Sequence, residues 1–406
     1  MADSNRDTER HPGKPAAAVR KLYSVLTRVE VLAAVCIVML CAGFFLETRA
    51  QRNLSYLFAV PLFLLHLKAF DWRCLRDSAI AQVALAYLGY FLVAGLWSDG
   101  FSWAAQADLL RVSLLLLLFF LMTLRLGTRD SGFAERFSFW FAAAAGASLL
   151  AVFAAAASGL LPFGTRFAGF GIAAHPIIGS TLYGVALLLC TFVLLPRSRD
   201  RRARLAWLAV ILLCAAFMLL SGSRGPLLAL AAALVVGLAV ADRRLALGLV
   251  VLMAAGIALG VVADFRPVEL LYERAESGHF GIWQQALAAI AEQPWLGHGS
   301  LADLGFETRH GPARSPHNLL LANQLYGGLP ATLLLAALLA ATAWQAWLAR
   351  RAGQPIYLVL LAFGLVAALF DSRSLVQNLG REWITLWLPI GLLAAQEALR
   401  RSGKPS

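Results

Sequence analysis

The chain has 406 residues, 60% of them hydrophobic and only 14% charged; soluble domains carry roughly 25% charged residues, so an ordinary globular protein is excluded. A net charge of +12 would suit nucleic acid, but the lysines and arginines sit in short hinges between apolar runs and build no continuous basic face. The five cysteines, Cys36, Cys41, Cys74, Cys190 and Cys214, form no CxxC pair and read as small core hydrophobes, not disulfide or zinc ligands.

A helix crossing a bilayer needs about 20 mostly apolar residues. In chain order, residues 1–28 form a polar tail. Twelve spans follow, at 29–46, 54–70, 78–96, 104–124, 137–158, 176–195, 203–221, 226–241, 245–263, 317–345, 355–370 and 383–399. The first follows a basic segment as a signal peptide would, but its length and the spans behind it mark a retained helix. Nine spans thus occupy 29–263, a loop fills 264–316, three spans occupy 317–399, and 400–406 is a second tail. An even number puts both termini on one side. With the N-terminus inside, 24 of the 35 lysines and arginines lie inside and 10 outside, with Arg111 within a span. The positive-inside rule selects that orientation. Within the large outer loop, Ile282, Trp283, Ala286, Leu287 and Ile290 recur at helical spacing up to Pro294. This predicts a short amphipathic helix at the outer interface or capping the bundle. The fold class is therefore an all-α polytopic membrane protein with about twelve transmembrane helices and one large outer loop containing short helices.

Chemistry is expected where polar residues gather, on the outer face. Arg224 lies in SGSRGP between spans seven and eight. Gly222 and Gly225 permit a tight turn and close approach of a ligand, and Pro226 suits the first position of span eight. A guanidinium there fits bidentate phosphate binding; the alternative is an arginine snorkelling to headgroups. Arg166 in GTRFAGFG has a similar setting, with an ordinary interfacial loop residue as its alternative. His317 follows Pro316 at the start of span ten, near helix N–H groups that disfavour imidazolium. A neutral histidine can act as a general base; otherwise it caps the helix or binds lipid phosphate. Asp108 and Arg111 are three apart on one helix face, as a structural ion pair or as the wall of a substrate cavity. His175 either lines a cavity or starts its helix. Arg274, His279, His298, Arg309, His310 and Arg314 lie in the large loop.

No Asp-x-Asp, Walker loop, HExxH or GxSxG occurs, so metal–nucleotide-sugar ligands are missing from the sequence. Outside the cytoplasm there is no nucleotide supply, and a transferase there needs a donor already activated, as on a lipid carrier.

Four blocks, SGSRGPLLAL at 221–230, GIWQQALAAIAEQPWLGHGS at 281–300, HNLLLANQLYGGLP at 317–330 and RFAGFGIAAHPIIGS at 166–180, carry a likeness. With the span layout, the chain resembles the O-antigen ligases of Gram-negative bacteria, within the O-antigen ligase/polymerase superfamily of membrane glycosyltransferases. The resemblance implies a GT-C-like enzyme of the inner membrane working on its periplasmic side without cofactor or metal and with inversion. It implies an undecaprenyl pyrophosphate-linked glycan as donor and lipid A–core as acceptor. His317 would be the base, and Arg166 and Arg224 would hold the pyrophosphate, with Arg274, His175 and Arg111 as further candidate substrate-binding residues. The chain departs from the family where an arginine often precedes the Ile-Trp of the loop helix. Here His279 stands three residues before Ile282, which leaves the roles of His279 and Arg274 open. Alternatives are a polymerase or a protein O-oligosaccharyltransferase using the same donor. A transporter of lipid-linked glycans fits less well, since repeat halves and midplane charges are not evident.

Overall fold

The computed structural model describes residues 21–160, 166–241, 279–308 and 311–403. Regular structure among them is helical, apart from one isolated antiparallel bridge, Phe306 to Ala313. In order, α1 is Val29–Cys41, and α2 (Thr48–Leu54) continues through a π-helical turn, Ser55–Ala59, into α3 (Val60–Leu67). Then come α4 (Ala79–Ala94), α5 (Trp103–Arg129), α6 (Phe133–Ala157), α7 (Pro176–Leu189), α8 (Arg201–Ser221) and α9 (Arg224–Ala241). After them lie α10 (His279–Glu292), α11 (Leu319–Arg351), α12 (Ile356–Asp371) and α13 (Leu388–Arg401). Among the described residues, six helices are long and apolar enough to cross a membrane: Ala79–Trp97, Trp103–Arg129, Phe133–Ala157, Pro176–Arg197, Arg201–Ser221 and Leu319–Arg351. Val29–Phe44, Arg224–Val240 and Ile356–Asp371 are apolar but shorter. The expected ninth span, 245–263, lies outside the described residues, as do Arg274, Arg309 and His310.

Local sequence explains where these helices begin. Ser78, Ser102 and Asp200 cap α4, α5 and α8, accepting from the N–H three residues on at 3.1, 3.1 and 3.2 Å, which satisfies first-turn donors that apolar surroundings would leave bare. Between α8 and α9 the chain reverses at Gly222, whose φ of 61° lies where a Cβ is unfavourable. The centre is aromatic: Tyr183 stacks on Phe44 at 5.2 Å and meets Phe217 edge-on at 4.5 Å, with its hydroxyl 2.9 Å from Ser148 Oγ.

Three expectations change in detail. Helix α9 starts at Arg224, so Pro226 is its third residue and not its first. The loop helix is present as α10, with Ile282 and Ala286 buried and Trp283 and Ile290 packed on the core, but Leu287 is 54% exposed. The apolar stripe is thus wider than the face that α10 lays on α11. Span ten is broken: Gly328 adopts φ 62°, ψ −160° inside α11, two residues before Pro330. The turn after α10 fills the break, since Leu329 N–H donates to Trp295 O at 3.0 Å and His298 N–H to Leu325 O at 2.9 Å. Neighbouring backbone here takes up hydrogen bonds that the broken helix gives up.

Candidate functional site

The site is assembled from four short stretches. The first is 166–175, ahead of α7. Arg166 donates from Nε to Ser221 O at 3.2 Å and from Nη2 to Ser223 Oγ at 2.9 Å, while Phe167 N–H donates to Leu220 O at 3.3 Å. This segment is therefore zipped to the second stretch, the turn 221–224. That turn is braced from within, with Ser221 Oγ 2.6 Å from Ser180 Oγ and accepting from Ser223 N at 3.2 Å. Arg224 heads α9, and a Cβ on Gly225 would stand 3.0 Å from Phe370 Cβ. The absence of that atom lets the start of α9 run against the end of α12, where Asp371 follows Phe370.

The third stretch is Pro316–Asn318. Asn318 caps α11 by accepting from Leu320 N and Leu321 N at 3.0 and 3.1 Å, so the helix N–H groups answer to Asn318. His317 lies one residue before the cap at φ 49° and is the only non-glycine with positive φ among the described residues. That backbone is uncommon for a side-chain-bearing residue and marks a candidate functional position. Trp283 of α10 secures the approach, donating from Nε1 to Pro316 O at 3.0 Å with its ring 6.4 Å from that of Phe370.

The fourth stretch, 371–382, was not singled out from sequence, yet it supplies the partner of His317. Nδ1 of His317 is 2.8 Å from Asp371 Oδ1; Arg381 Nη1 is 2.6 Å from Asp371 Oδ2, and Arg381 Nε is 3.0 Å from Glu382 Oε1. Burial alone would raise the Asp371 carboxyl, but the hydrogen bond from His317 and the charge of Arg381 outweigh it and hold it below its ordinary range. An ionised carboxylate only accepts, so Nδ1 carries the proton and the basic lone pair of a neutral ring sits on Nε2. Exposure falls along the chain of contacts, from 40% for the His317 side chain through 19% for Asp371 and 12% for Arg381 to 7% for Glu382. The imidazole thus faces outward while its supports are enclosed. His175 senses the same groups: loss of surrounding water lowers its pKa most, Asp371 opposes, and Arg381 and Arg166 add to the lowering.

His317, Asp371, Arg381, His175 and Arg166 thus lie together, with Arg224 opening the helix packed on Phe370. Arg111 stands apart on α5. Its Nε and Nη2 donate to Asp108 Oδ1 at 2.9 and 2.6 Å, and its Nη1 reaches Tyr56 and Asn378. It forms the ion pair foreseen as the structural alternative and is tied to 371–382 through Asn378. His298 is buried with Nε2 2.9 Å from Ala289 O, a bond that holds the turn after α10. A cavity of about 540 Å³ lies beside the cluster, walled by Arg381, Glu382, Gln377, Asn378, Asp108 and Tyr326 among others, without His317, Arg166 or Arg224. Another, of about 450 Å³, reaches the opposite ends of the same helices, near Arg129, Arg197 and Gln354, and shares no residue with the cluster. The signal for 371–382 was present: two acids and two arginines in twelve residues between two apolar runs.

The family model described as O-antigen ligase matches residues 208–336, which include Arg224 and His317. An O-antigen ligase of Pseudomonas aeruginosa is 30% identical over 333 residues, covering 80% of this chain and 79% of that protein.

Proposed function

The chain belongs to the O-antigen ligase family, and from this premise we propose that it transfers O-antigen polysaccharide from undecaprenyl pyrophosphate to a hydroxyl of lipid A–core. The observation that carries the reading is the His317–Asp371–Arg381 chain of contacts beside the turn that Arg166 clasps. With Nδ1 donating to Asp371, Nε2 of His317 takes the proton of the acceptor hydroxyl as that oxygen attacks the anomeric carbon of the donor. The new glycosidic C–O bond forms as the bond from the anomeric carbon to the phosphate oxygen breaks. Its electron pair leaves with undecaprenyl pyrophosphate, and attack opposite the leaving group inverts the centre. General-base assistance contributes about 10²–10⁴-fold in such steps.

Arg166 and Arg224, with the positive end of α9, stabilise the charge that develops on the diphosphate. These fixed cations do the work that a metal does elsewhere, so the reaction runs without one. Both substrates are lipid-anchored and meet at the outer leaflet. The reading takes the chain as twelve spans with 1–28 and 400–406 cytoplasmic and 264–316 periplasmic, in the bacterial inner membrane. Arg274, outside the described residues, stays a further candidate for substrate binding, and the His175 imidazole is under the influence of Asp371, Arg381 and Arg166.

The test is reconstitution of the purified protein with labelled undecaprenyl pyrophosphate-linked glycan and, in separate reactions, lipid A–core, a second carrier-linked glycan or a protein acceptor. Labelled lipid A–core in excess chelator is the expected product. Chain extension on the carrier would mark a polymerase, glycosylated protein an oligosaccharyltransferase, and strict dependence on added Mg²⁺ or Mn²⁺ would overturn the mechanism.

A further inference from the structure

We propose that Glu382 is a positioning residue for the transfer, its carboxylate supplying the surplus negative charge that favours the imidazolium formed when the acceptor hydroxyl passes its proton to His317. This role rests on the reading of His317 as base and adds to it the group that sets the strength of that base.

Glu382 directly precedes the π-helical turn Trp383–Trp387, yet its side chain makes no capping hydrogen bond to that turn. It turns instead to Arg381, whose Nε donates to Glu382 Oε1 at 3.0 Å while Nη1 of the same guanidinium donates to Asp371 Oδ2 at 2.6 Å. The turn and the segment before it are tied together. Trp383 Nε1 donates to Gln377 O at 3.0 Å, Trp387 Nε1 to Leu375 O at 2.9 Å and Thr385 Oγ1 to Arg381 O at 3.0 Å. A guanidinium that is always charged is thus held between two carboxylates, and Glu382 is the most enclosed of the three groups.

Asp371 alone would neutralise Arg381. With Glu382 added, the enclosed group carries one net negative charge while His317 is neutral and none once His317 is protonated. Surplus buried charge is costly in the resting protein, and the positive charge that arises on His317 during turnover relieves it. An opposite charge nearby favours the ionised form of a titrating group, the more so where water is excluded. The other groups at this cluster are His175, which feels Asp371, Arg381 and Arg166, and Arg224, at the head of the helix packed on Phe370. Arg166 and Arg224 are met in the proposed reaction by a diphosphate that brings its own negative charge, which leaves Glu382 to balance His317.

The experiment follows kcat/KM for transfer from labelled carrier-linked glycan to lipid A–core between pH 5 and pH 8, with full-length protein in lipid nanodiscs. Wild type, Glu382→Gln and Glu382→Asp are compared, and melting is recorded in parallel. The acid limb of the profile reports the base of the free enzyme. Loss of the negative charge makes imidazolium less favourable, so Glu382→Gln should move that limb to lower pH by about 0.5 or more. The plateau should fall about two- to fivefold, because a weaker base takes the proton less readily. Glu382→Asp, which keeps the charge, should leave the limb within about 0.2 of wild type. An unmoved limb in Glu382→Gln, whatever its melting temperature, or an equal shift in Glu382→Asp would reduce Glu382 to packing and overturn the proposal. A shift that vanishes in a His175→Gln background would assign the limb to His175, with the same consequence. If Glu382→Gln does not fold, Arg381→Gln is compared with Arg381→Gln combined with Glu382→Gln, where loss of Glu382 should again lower the limb. His317→Asn separates the two readings: full activity there removes the base itself, whereas an unmoved limb beside an inactive His317→Asn removes only the role of Glu382.

Discussion

Two histidines, near opposite ends of the molecule, show how neighbours decide what an imidazole can do. His66 on α3 is fully buried; its Nδ1 accepts from Arg125 Nε at 3.0 Å, and its Nε2 lies 3.1 Å from Leu26 O. A guanidinium only donates and a carbonyl only accepts, so Nε2 carries the proton and no basic nitrogen remains. His317 has the reverse arrangement, with Nδ1 on a carboxylate and 40% of the side chain exposed. One histidine is consumed in holding α3 to α5. The other is oriented by a carboxylate and remains partly exposed.

The contrast can be broken most directly at His317. His317→Asn, which tolerates the positive φ, should lower kcat about 10²–10⁴-fold with little change in melting temperature. Activity near wild type in a transfer assay would end the comparison. Asp371→Asn should come next, at about 10²-fold, because an amide can present its carbonyl or its NH₂ to Nδ1 and so permits the wrong tautomer. For His66→Ala the effect should fall on stability, about 1–3 kcal/mol, since Arg125 Nε is left buried without its acceptor. Turnover per folded molecule should stay within a few-fold, as thermal unfolding and transfer measured on one preparation would show. A smaller change is expected for Ser223→Ala, which removes one of the Arg166 hydrogen bonds and should cost about 0.5–1.5 kcal/mol of transition-state stabilisation. The measurement is kcat/KM for the lipid-linked donor.

The smallest effect concerns pH. His175 titrates below its ordinary value in the folded protein, so between the folded value and the unfolded value of about 6.5 the unfolded chain binds more protons. The stability it contributes is complete above the unfolded value and is lost as pH falls through the folded one. His175→Gln should therefore show a smaller fall in melting temperature than wild type between pH 7.5 and pH 5, read by scanning fluorimetry in detergent.

Residues that announce themselves by local context were legible in the sequence. Arg166 in its glycine-rich segment and His317 behind proline lie at the cluster, and Arg224 heads the helix packed on Phe370 beside it. The helix at 282–290 is readable from its period, although Leu287 faces outward, because periodicity reports an apolar stripe and not the width of its partner. Asp371 and Arg381 were passed over because each sits beside a long apolar run, where a single charge looks like a span boundary. The break at Gly328 was hidden by apolar residues on both sides and by compensation from a distant turn.

From the sequence alone follow the membrane class, the helical architecture and the arginines and histidine set on one face, because bilayer length and charge placement are local, additive properties of the chain. Tertiary structure alone decided which nitrogen of His317 is basic, that Arg111 braces a wall, and that 371–382 completes the cluster. Those outcomes depend on hydrogen-bond partners 54 residues away in the chain for His317 and 267 for Arg111, a separation that no periodicity or motif encodes.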